Sequence, residues 1–151
     1  MTTVAFVLAS WRPDVPAGME RAVAGHVAAI TAAGHRAVII TADHGAPTTY
    51  RNADVVTLTA LPVSFPCDDD TLRDTITGAA DAIRSELISV FVRERVDAAI
   101  YLDALWGLGR IMPQHPRTRN VLAVHVVGHD NDLNTALGHQ PAAIIAPSTT
   151  V

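Results

Sequence analysis

Residues 4–34 read VAFVLASWRPDVPAGMERAVAGHVAAITAAG and contain two apolar patterns separated by a loop with proline and glycine. Val4–Leu8 is a continuous apolar run, which is typical of a strand buried on both faces of a sheet. From Gly18 to Ala33 the apolar residues fall mostly on one helical face, and Gly34 suits the position just beyond a helix end. This stretch predicts a strand, a loop and a helix whose first amides favour an anion such as phosphate.

Length and charge limit the classes of protein to consider. The 151 residues are 49% hydrophobic, which is enough for one domain with an ordinary core. The net charge of −4 argues against a nucleic-acid partner, which would require a basic surface. We also expect no membrane span, since no apolar run is long enough to cross a bilayer. A single cysteine and the lack of a signal peptide predict a cytoplasmic protein.

Apolar runs alternate with helical patterns along the rest of the chain. A long helix is expected from Asp68–Asp70 through Phe91, with the aspartates as its cap, followed by a short helix over Ala104–Met112 and a helical turn over Asp130–Leu137. Further strands are predicted at Ala37–Thr41, Val55–Leu58, Ala98–Leu102, Val121–Val127 and Ala142–Ala146. The predicted fold class is α/β, a single Rossmann-like three-layer α/β/α domain with a mainly parallel sheet.

Ligands of such sheets bind beyond the carboxyl ends of the strands. Ser10–Gly18, His44, Asp103 and His125 fall at those ends. The first loop lacks the Gly-x-Gly-x-x-Gly spacing of dinucleotide-binding folds, and a phosphate-binding loop with its lysine is excluded because the chain has no lysine. A Gly-x-Ser-x-Gly nucleophile motif, Cys-x-x-Cys and His-Glu-x-x-His are absent as well.

Several segments resemble one family of enzymes. Residues 16–21, PAGMER, and 26–41, HVAAITAAGHRAVIIT, resemble the N-terminal signature of retaining, glycogen-synthase-like glycosyltransferases of the GT-B fold, family GT4. Residues 96–101, 121–125 and 144–148 resemble later strands of that family, in the same order. The resemblance covers essentially the whole chain and implies one half of a GT-B glycosyltransferase.

This resemblance implies a function. Residues 1–151 would be the N-terminal, acceptor-side domain of an enzyme that moves a sugar from a nucleotide-sugar to an acceptor hydroxyl with retention. The donor-binding C-terminal domain would lie outside the chain, so the chain alone is expected to be inactive. No obligatory metal and no cofactor is implied, because the nucleotide-sugar is a substrate. Ala17 and Gly18 would lie at the donor diphosphate, and His125 would be the catalytic residue that contacts the transferred sugar.

Other candidates are expected to bind the acceptor, a sugar or another small molecule. They are Trp11, Arg12, Asp103, Trp106 and Asp130. An indole beside a carboxylate suits a sugar, because the ring stacks on apolar faces and the carboxylate binds hydroxyls.

Several alternatives remain open. Asp103 could instead cap the short helix after it, and Asp130 could cap the next one. His129, Asp130 and Asp132 could together bind a divalent ion. For the whole chain, the main alternative is a stand-alone Rossmann-like ligand-binding or regulatory module without catalysis. A small enzyme using His125 and Asp103 as acid and base is a third.

Overall fold

A seven-stranded sheet forms the centre of the chain in the computed structural model, which describes residues 1–12, 18–124 and 129–146. Within these residues, the elements follow in the order β1 (Thr3–Leu8), α1 (Gly18–Ala32), β2 (Arg36–Thr41), β3 (Thr49–Tyr50), β4 (Ala53–Thr57), α2 (Asp69–Glu94), β5 (Ala98–Leu102), a 3₁₀ turn (Gly109–Ile111), β6 (Arg119–Ala123), α3 (Asp130–Gly138) and β7 (Ala143–Ile145).

The strands lie in the order β3-β4-β2-β1-β5-β6-β7. Every neighbouring pair is parallel except β3 with β4, which is an antiparallel pair at one edge. Parallel strands need crossover connections, and α1, α2 and α3 supply three of them. The predicted Rossmann-like α/β fold is therefore confirmed.

The core has two parts, one on each face of the sheet. On one face, Ala5 and Val7 of β1 belong to a cluster with buried residues of α2 such as Leu87. On the other face, Phe6 and Leu8 pack with Val23 and Val27 of α1. Successive strand residues point to opposite faces, so the continuous apolar run of β1 serves both layers.

The order of strands reverses at β1. From β1 the chain passes through α1 to β2 on one side, and from β4 it passes through α2 to β5 on the other side. Ligands of open α/β sheets bind at such a reversal, beyond the carboxyl ends of the strands. The loops after β1 and β5 therefore flank the expected binding crevice.

The long helix α2 begins as the sequence predicts. The side chain of Asp68 accepts a hydrogen bond from the Thr71 amide at 2.7 Å and caps the first turn. The helix carries a kink at Ala79, where the backbone leaves helical geometry (φ −121°, ψ 15°). In the described part of the chain, no helix combines the length and the apolar character that crossing a membrane requires.

The short helix predicted over Ala104–Met112 is wrong. Only a 3₁₀ turn, Gly109–Ile111, forms there, because Asp103 (φ +103°) and Leu108 (φ +61°) have positive φ values that interrupt a right-handed helix. Between them, Gly107 lies directly against the backbone of Leu102.

Other predicted bounds need smaller corrections. The strand expected at Val55–Leu58 is Ala53–Thr57, and the two-residue β3 before it was not predicted because it is too short to show a pattern. Strand β6 ends at Ala123, and the further extension predicted to Val127 runs into residues 125–128, outside the described residues.

Strand β7 differs from the central strands in its burial. Its neighbour on one side is β6, and among the described residues no strand pairs with its other side. Ile144 and Ile145 are 55% and 43% exposed. This edge of the sheet is thus both apolar and open.

We predict that Gly107→Ala lowers the free energy of unfolding by about 2 kcal/mol or more, because a Cβ would overlap the backbone of Leu102, which β5 holds in place. Gly78→Ala is the matched control, since nothing lies within 4 Å of its added Cβ in α2. It should raise stability by roughly 0.5–1 kcal/mol, because alanine favours a helix. Urea unfolding of both variants measures this, and equal effects would contradict the predicted overlap.

Candidate functional site

Polar side chains gather in three groups at the carboxyl edge of the sheet. The Asp69 cluster contains Asp69, Asp103, Trp106 and His129. The Asp132 cluster contains Arg73, Arg110 and Asp132. The Arg12 pair consists of Arg12 and Asp43.

The carboxylate of Asp69 joins three segments of the chain. It stands at the start of α2, where its Oδ1 accepts a hydrogen bond from Nε1 of Trp106 at 2.7 Å. Its Oδ2 lies 2.9 Å from Nε2 of His129, the residue that precedes α3. The hydrogen bond from Trp106, followed by that from His129, lowers the pKa of Asp69.

His129 lies between two carboxylates. Because the Asp69 carboxylate can only accept, Nε2 of His129 carries a proton in this contact. Its Nδ1 is buried and lies 3.9 Å from Oδ2 of Asp103, and in the described part of the chain it has no hydrogen-bond partner. The imidazole thus bonds one carboxylate, that of Asp69, and lies beyond hydrogen-bond distance of a second, that of Asp103.

Asp103 has a strained backbone and a buried side chain. Its φ of +103° is unusual for a residue other than glycine, and its side chain is only 2% exposed. Its Oδ2 also accepts a long hydrogen bond, 3.4 Å, from the amide of Leu105, which is an Asx-type turn. The expected helix cap at Asp103 is therefore corrected to a turn within an irregular loop.

The Asp132 cluster lies at the carboxyl edge of the sheet, beside α3. Arg73 donates to Asp132 from Nε and from a terminal nitrogen, the latter at 2.7 Å, and Arg110 donates to it at 2.8 Å. Asp132 is 3% exposed, and its carboxylate raises the pKa of Arg73. A cavity of about 480 Å³ lies beside this cluster and reaches His129.

The Arg12 pair lies beyond strands β1 and β2. Nε of Arg12 donates to Oδ2 of Asp43 at 2.6 Å, and Asp43 Oδ1 accepts from the Gly45 amide at 3.0 Å. The pair lines a cavity of about 200 Å³ together with Phe65. The ring centre of Phe65 lies 6.3 Å from that of Trp106, so this aromatic side chain connects the Arg12 pair to the Asp69 cluster.

The structure brings together two of the residues predicted to bind the acceptor. Asp103 and Trp106 both contribute to the Asp69 cluster, and Arg12 lines a cavity together with Phe65, whose ring packs against that of Trp106. Their roles in ligand binding stay predictions.

Trp11 and Asp130 are placed differently. Trp11 is completely buried in the core, edge-on to Tyr50 with ring centres 5.1 Å apart. It can touch a ligand only if the surrounding side chains move, so its acceptor role stays a prediction. Asp130 is exposed and is the first residue of α3, whereas the capping position belongs to His129, whose side chain makes no cap bond. The prediction that Asp130 caps α3 is thus wrong by one residue, because the N-cap position is that of His129.

The residues predicted to contact the donor are only partly described. Helix α1 begins at Gly18, as expected. Ala17 and His125, predicted for the diphosphate and the transferred sugar, lie outside the described residues.

The three residues considered as metal ligands do not converge. His129 is bonded to Asp69, Asp132 to two arginines, and Asp130 points to the surface. Over residues 1–12, 18–124 and 129–146, no group of three or more histidine, cysteine or acidic side chains is arranged to hold a metal ion.

Three acidic residues of these clusters were not singled out for ligand binding from the sequence. From the sequence, Asp69 is explained by the helix cap, Asp132 is a candidate for metal binding alone, and no motif contains Asp43. A usable signal existed for Asp43, because it follows β2 directly and so lies at the binding edge.

Comparisons with solved structures show where this fold occurs elsewhere. Sucrose-phosphate synthase from Thermosynechococcus elongatus superposes with a TM-score of 0.64 over 93% of this chain at 15% sequence identity. The fold is that of part of this synthase. The chain spans 37% of the synthase's length. A second structure of the synthase matches over 99% of this chain and 77% of its own, with a TM-score of 0.65 and 15% identity.

Comparisons by sequence give no match. No protein-family model matches the chain, and no curated protein matches it. The structural likeness therefore establishes the fold, and the function has to be argued from the site.

We predict that Asp69→Asn lowers the free energy of unfolding at pH 7. The difference in this free energy between the variant and the native protein should become smaller as the pH falls. The pKa of Asp69 is lower folded than its ordinary value of 3.8, so its stabilisation is complete above that value and is lost as the pH falls through the folded pKa. Urea unfolding at pH 7, 5 and 3 measures the difference.

Asp74→Asn is the control for this experiment, because Asp74 is exposed on the same helix. It should leave the unfolding midpoint nearly unchanged at each pH. A difference for Asp69→Asn that stays constant from pH 7 to pH 3 would contradict the prediction.

Proposed function

We propose that the chain forms the acceptor-binding side of a glycosyltransferase that moves a sugar from a nucleotide-sugar to an acceptor hydroxyl. One observation carries this proposal. Trp106 is hydrogen-bonded to Asp69 and lies beside His129 and Asp103 at the carboxyl edge of the sheet. The fold of this sheet is also that of part of a sucrose-phosphate synthase.

The Asp69 cluster has the chemistry that a sugar requires. A half-buried indole offers an apolar face on which a sugar ring can stack, while carboxylates and imidazole exchange hydrogen bonds with hydroxyl groups. The indole of Trp106 is held by its Nε1 contact and by Phe65, so little side-chain freedom is lost when a ligand binds.

The donor belongs to a second domain in this proposal. The match to only 37% of the sucrose-phosphate synthase supports it, because the rest of that protein has no counterpart here. The start of α1 at Gly18, with Ala17 before it, would contribute amides to the donor diphosphate. His125 would contact the transferred sugar. The resemblance to the retaining GT4 family implies retention of configuration and independence from metal.

Tryptophan fluorescence tests the acceptor site, because the chain has two tryptophans and only Trp106 is partly exposed. Glucose, mannose and galactose serve as probes. We expect a saturable change in emission in the Trp11→Phe variant, which reports Trp106 alone.

The matched variant Trp106→Phe reports Trp11 alone and should show weaker binding or no response. Phenylalanine keeps an aromatic face but cannot donate to Asp69. No saturable change with any probe in either variant, with both variants folded, would contradict the proposal of a sugar site at Trp106.

Transfer itself is tested by joining the chain to a donor-binding domain of a GT-B glycosyltransferase and measuring sugar transfer. His125→Ala should lower turnover by about 100-fold or more, as the loss of a group that contacts the reacting sugar does. His35→Ala is the control, since His35 is exposed near the opposite edge, where its Nδ1 accepts from the Thr2 amide. Sugar binding without transfer in any joined protein would favour the alternative, a binding module without catalysis.

A further inference from the structure

Arg12 is exposed but held in one orientation by a buried carboxylate. Its side chain is 46% exposed, whereas that of Asp43 is 3% exposed. Asp43 is itself fixed, because it also accepts from the amide of Gly45 and from the hydroxyl of Ser10. An exposed arginine on a surface loop is ordinarily solvated and free to change rotamer. Arg12, in contrast, is held in place by the buried carboxylate of Asp43.

The contact with Asp43 uses only one of the three nitrogens of the Arg12 guanidinium. Within the described residues, Arg12 donates from Nε alone. Arg73 makes the contrast clear, since its Nε and both terminal nitrogens donate to Asp132 and Asp70. The two terminal nitrogens of Arg12 form one edge of the planar fork, and such an edge matches two oxygens of a phosphate or a carboxylate.

Arg12 also lines a cavity. The cavity measures about 200 Å³ and is also lined by His44 and Ser64, whose imidazole and hydroxyl are potential donors. Its volume is several times the ~30 Å³ that one water occupies in the liquid, so a phosphate group fits. Both terminal nitrogens of Arg12 lie 3.7 Å from the point where a Cβ on Gly45 would be. Glycine thus leaves room beside the guanidinium.

The cavity adjoins the sugar site. Phe65 lines it and also contacts the ring of Trp106. A ligand whose ring lies on Trp106 could therefore extend across Phe65 and present a charged group to Arg12.

We propose that Arg12 binds an oxyanion, a phosphate or carboxylate group on the ligand of this site, and that Asp43 is the positioning residue that aims it. The inference rests on the proposed function for the identity of the ligand as a sugar derivative. Two sources supply this chemistry, a charged group on the acceptor and the diphosphate of the donor.

Calorimetry on the intact chain tests the proposal with three probes: inorganic phosphate, glucose 6-phosphate and uridine diphosphate. Arg12→Gln should weaken binding of phosphate and of glucose 6-phosphate by about tenfold or more, the effect of losing charge-assisted hydrogen bonds. Arg12→Lys keeps the charge but loses the fork and should be intermediate. It also remains informative if Arg12→Gln fails to fold because Asp43 is left unpaired.

Arg93→Gln is the matched control. Nε of Arg93 donates to Glu94 at 3.2 Å, a contact of the same type, but at the far end of α2 on the opposite edge of the sheet. It should leave the affinity for all three probes unchanged.

Asp43→Asn tests the positioning role. Asparagine can still accept from the amide of Gly45 but no longer attracts the guanidinium as a charged partner. We expect weaker binding of phosphate and glucose 6-phosphate, with the glucose response of Trp106 unchanged. A purely structural role of Asp43 would weaken the glucose response as well, and would overturn its assignment.

The probes separate the two sources and the two proposals. If the affinity for glucose 6-phosphate depends on Arg12, the charged group belongs to the acceptor. If only the affinity for uridine diphosphate depends on Arg12, the charged group is the donor diphosphate. Equal affinities of the native protein, Arg12→Gln and Arg12→Lys for every probe would overturn the inference. The proposed function would stand in that case if glucose still changes the emission of Trp106. In the opposite case, phosphate binding that depends on Arg12 without any effect of glucose on Trp106 would support the anion site and overturn the proposed sugar site.

Discussion

The arrangement of the candidate site depends on a single carboxylate, that of Asp69. Its two oxygens hold the indole of Trp106 and the imidazole of His129, which belong to loops after different strands. A carboxylate can satisfy both because each oxygen has two lone pairs and accepts without donating. The position at the start of α2 adds the favourable field of the helix dipole. Two loops and the start of α2, which could otherwise move independently, are thereby fixed at one point.

The sheet explains why these loops meet at all. With β1 in the middle and crossovers on both faces, the carboxyl ends of β1, β2, β5 and β6 are forced to one edge. Polar residues at these ends, such as Asp43 and Asp103, therefore lie at the same edge of the sheet although 60 residues separate them in the sequence. The two exposed or half-buried groups, Arg12 and Trp106, are each held by an acidic residue and connected by Phe65.

Much of the fold could be predicted from the sequence, because buried parallel strands are continuous apolar runs and helix α1 has a clear start and end. The segment after β5 could not, since its apolar residues mimic a helix while Asp103 and Leu108 have positive φ. For the site, position beyond a strand end indicated Asp103 and Arg12. Asp69 was hidden because a run of three aspartates before a helix is fully explained by capping, and its partners are 37 and 60 residues away.

The open edge at β7 has a consequence for the behaviour of the chain in concentrated solution. Among the described residues no strand pairs with its outer side, and this side together with two exposed isoleucines offers a template on which another extended segment can add. The strand has only three residues, which limits the strength of any such pairing. Self-association that begins here would grow strand to strand from the outer border of the sheet and leave the candidate site at the carboxyl edge uncovered, so turbidity and any loss of sugar binding at that site would follow separate time courses.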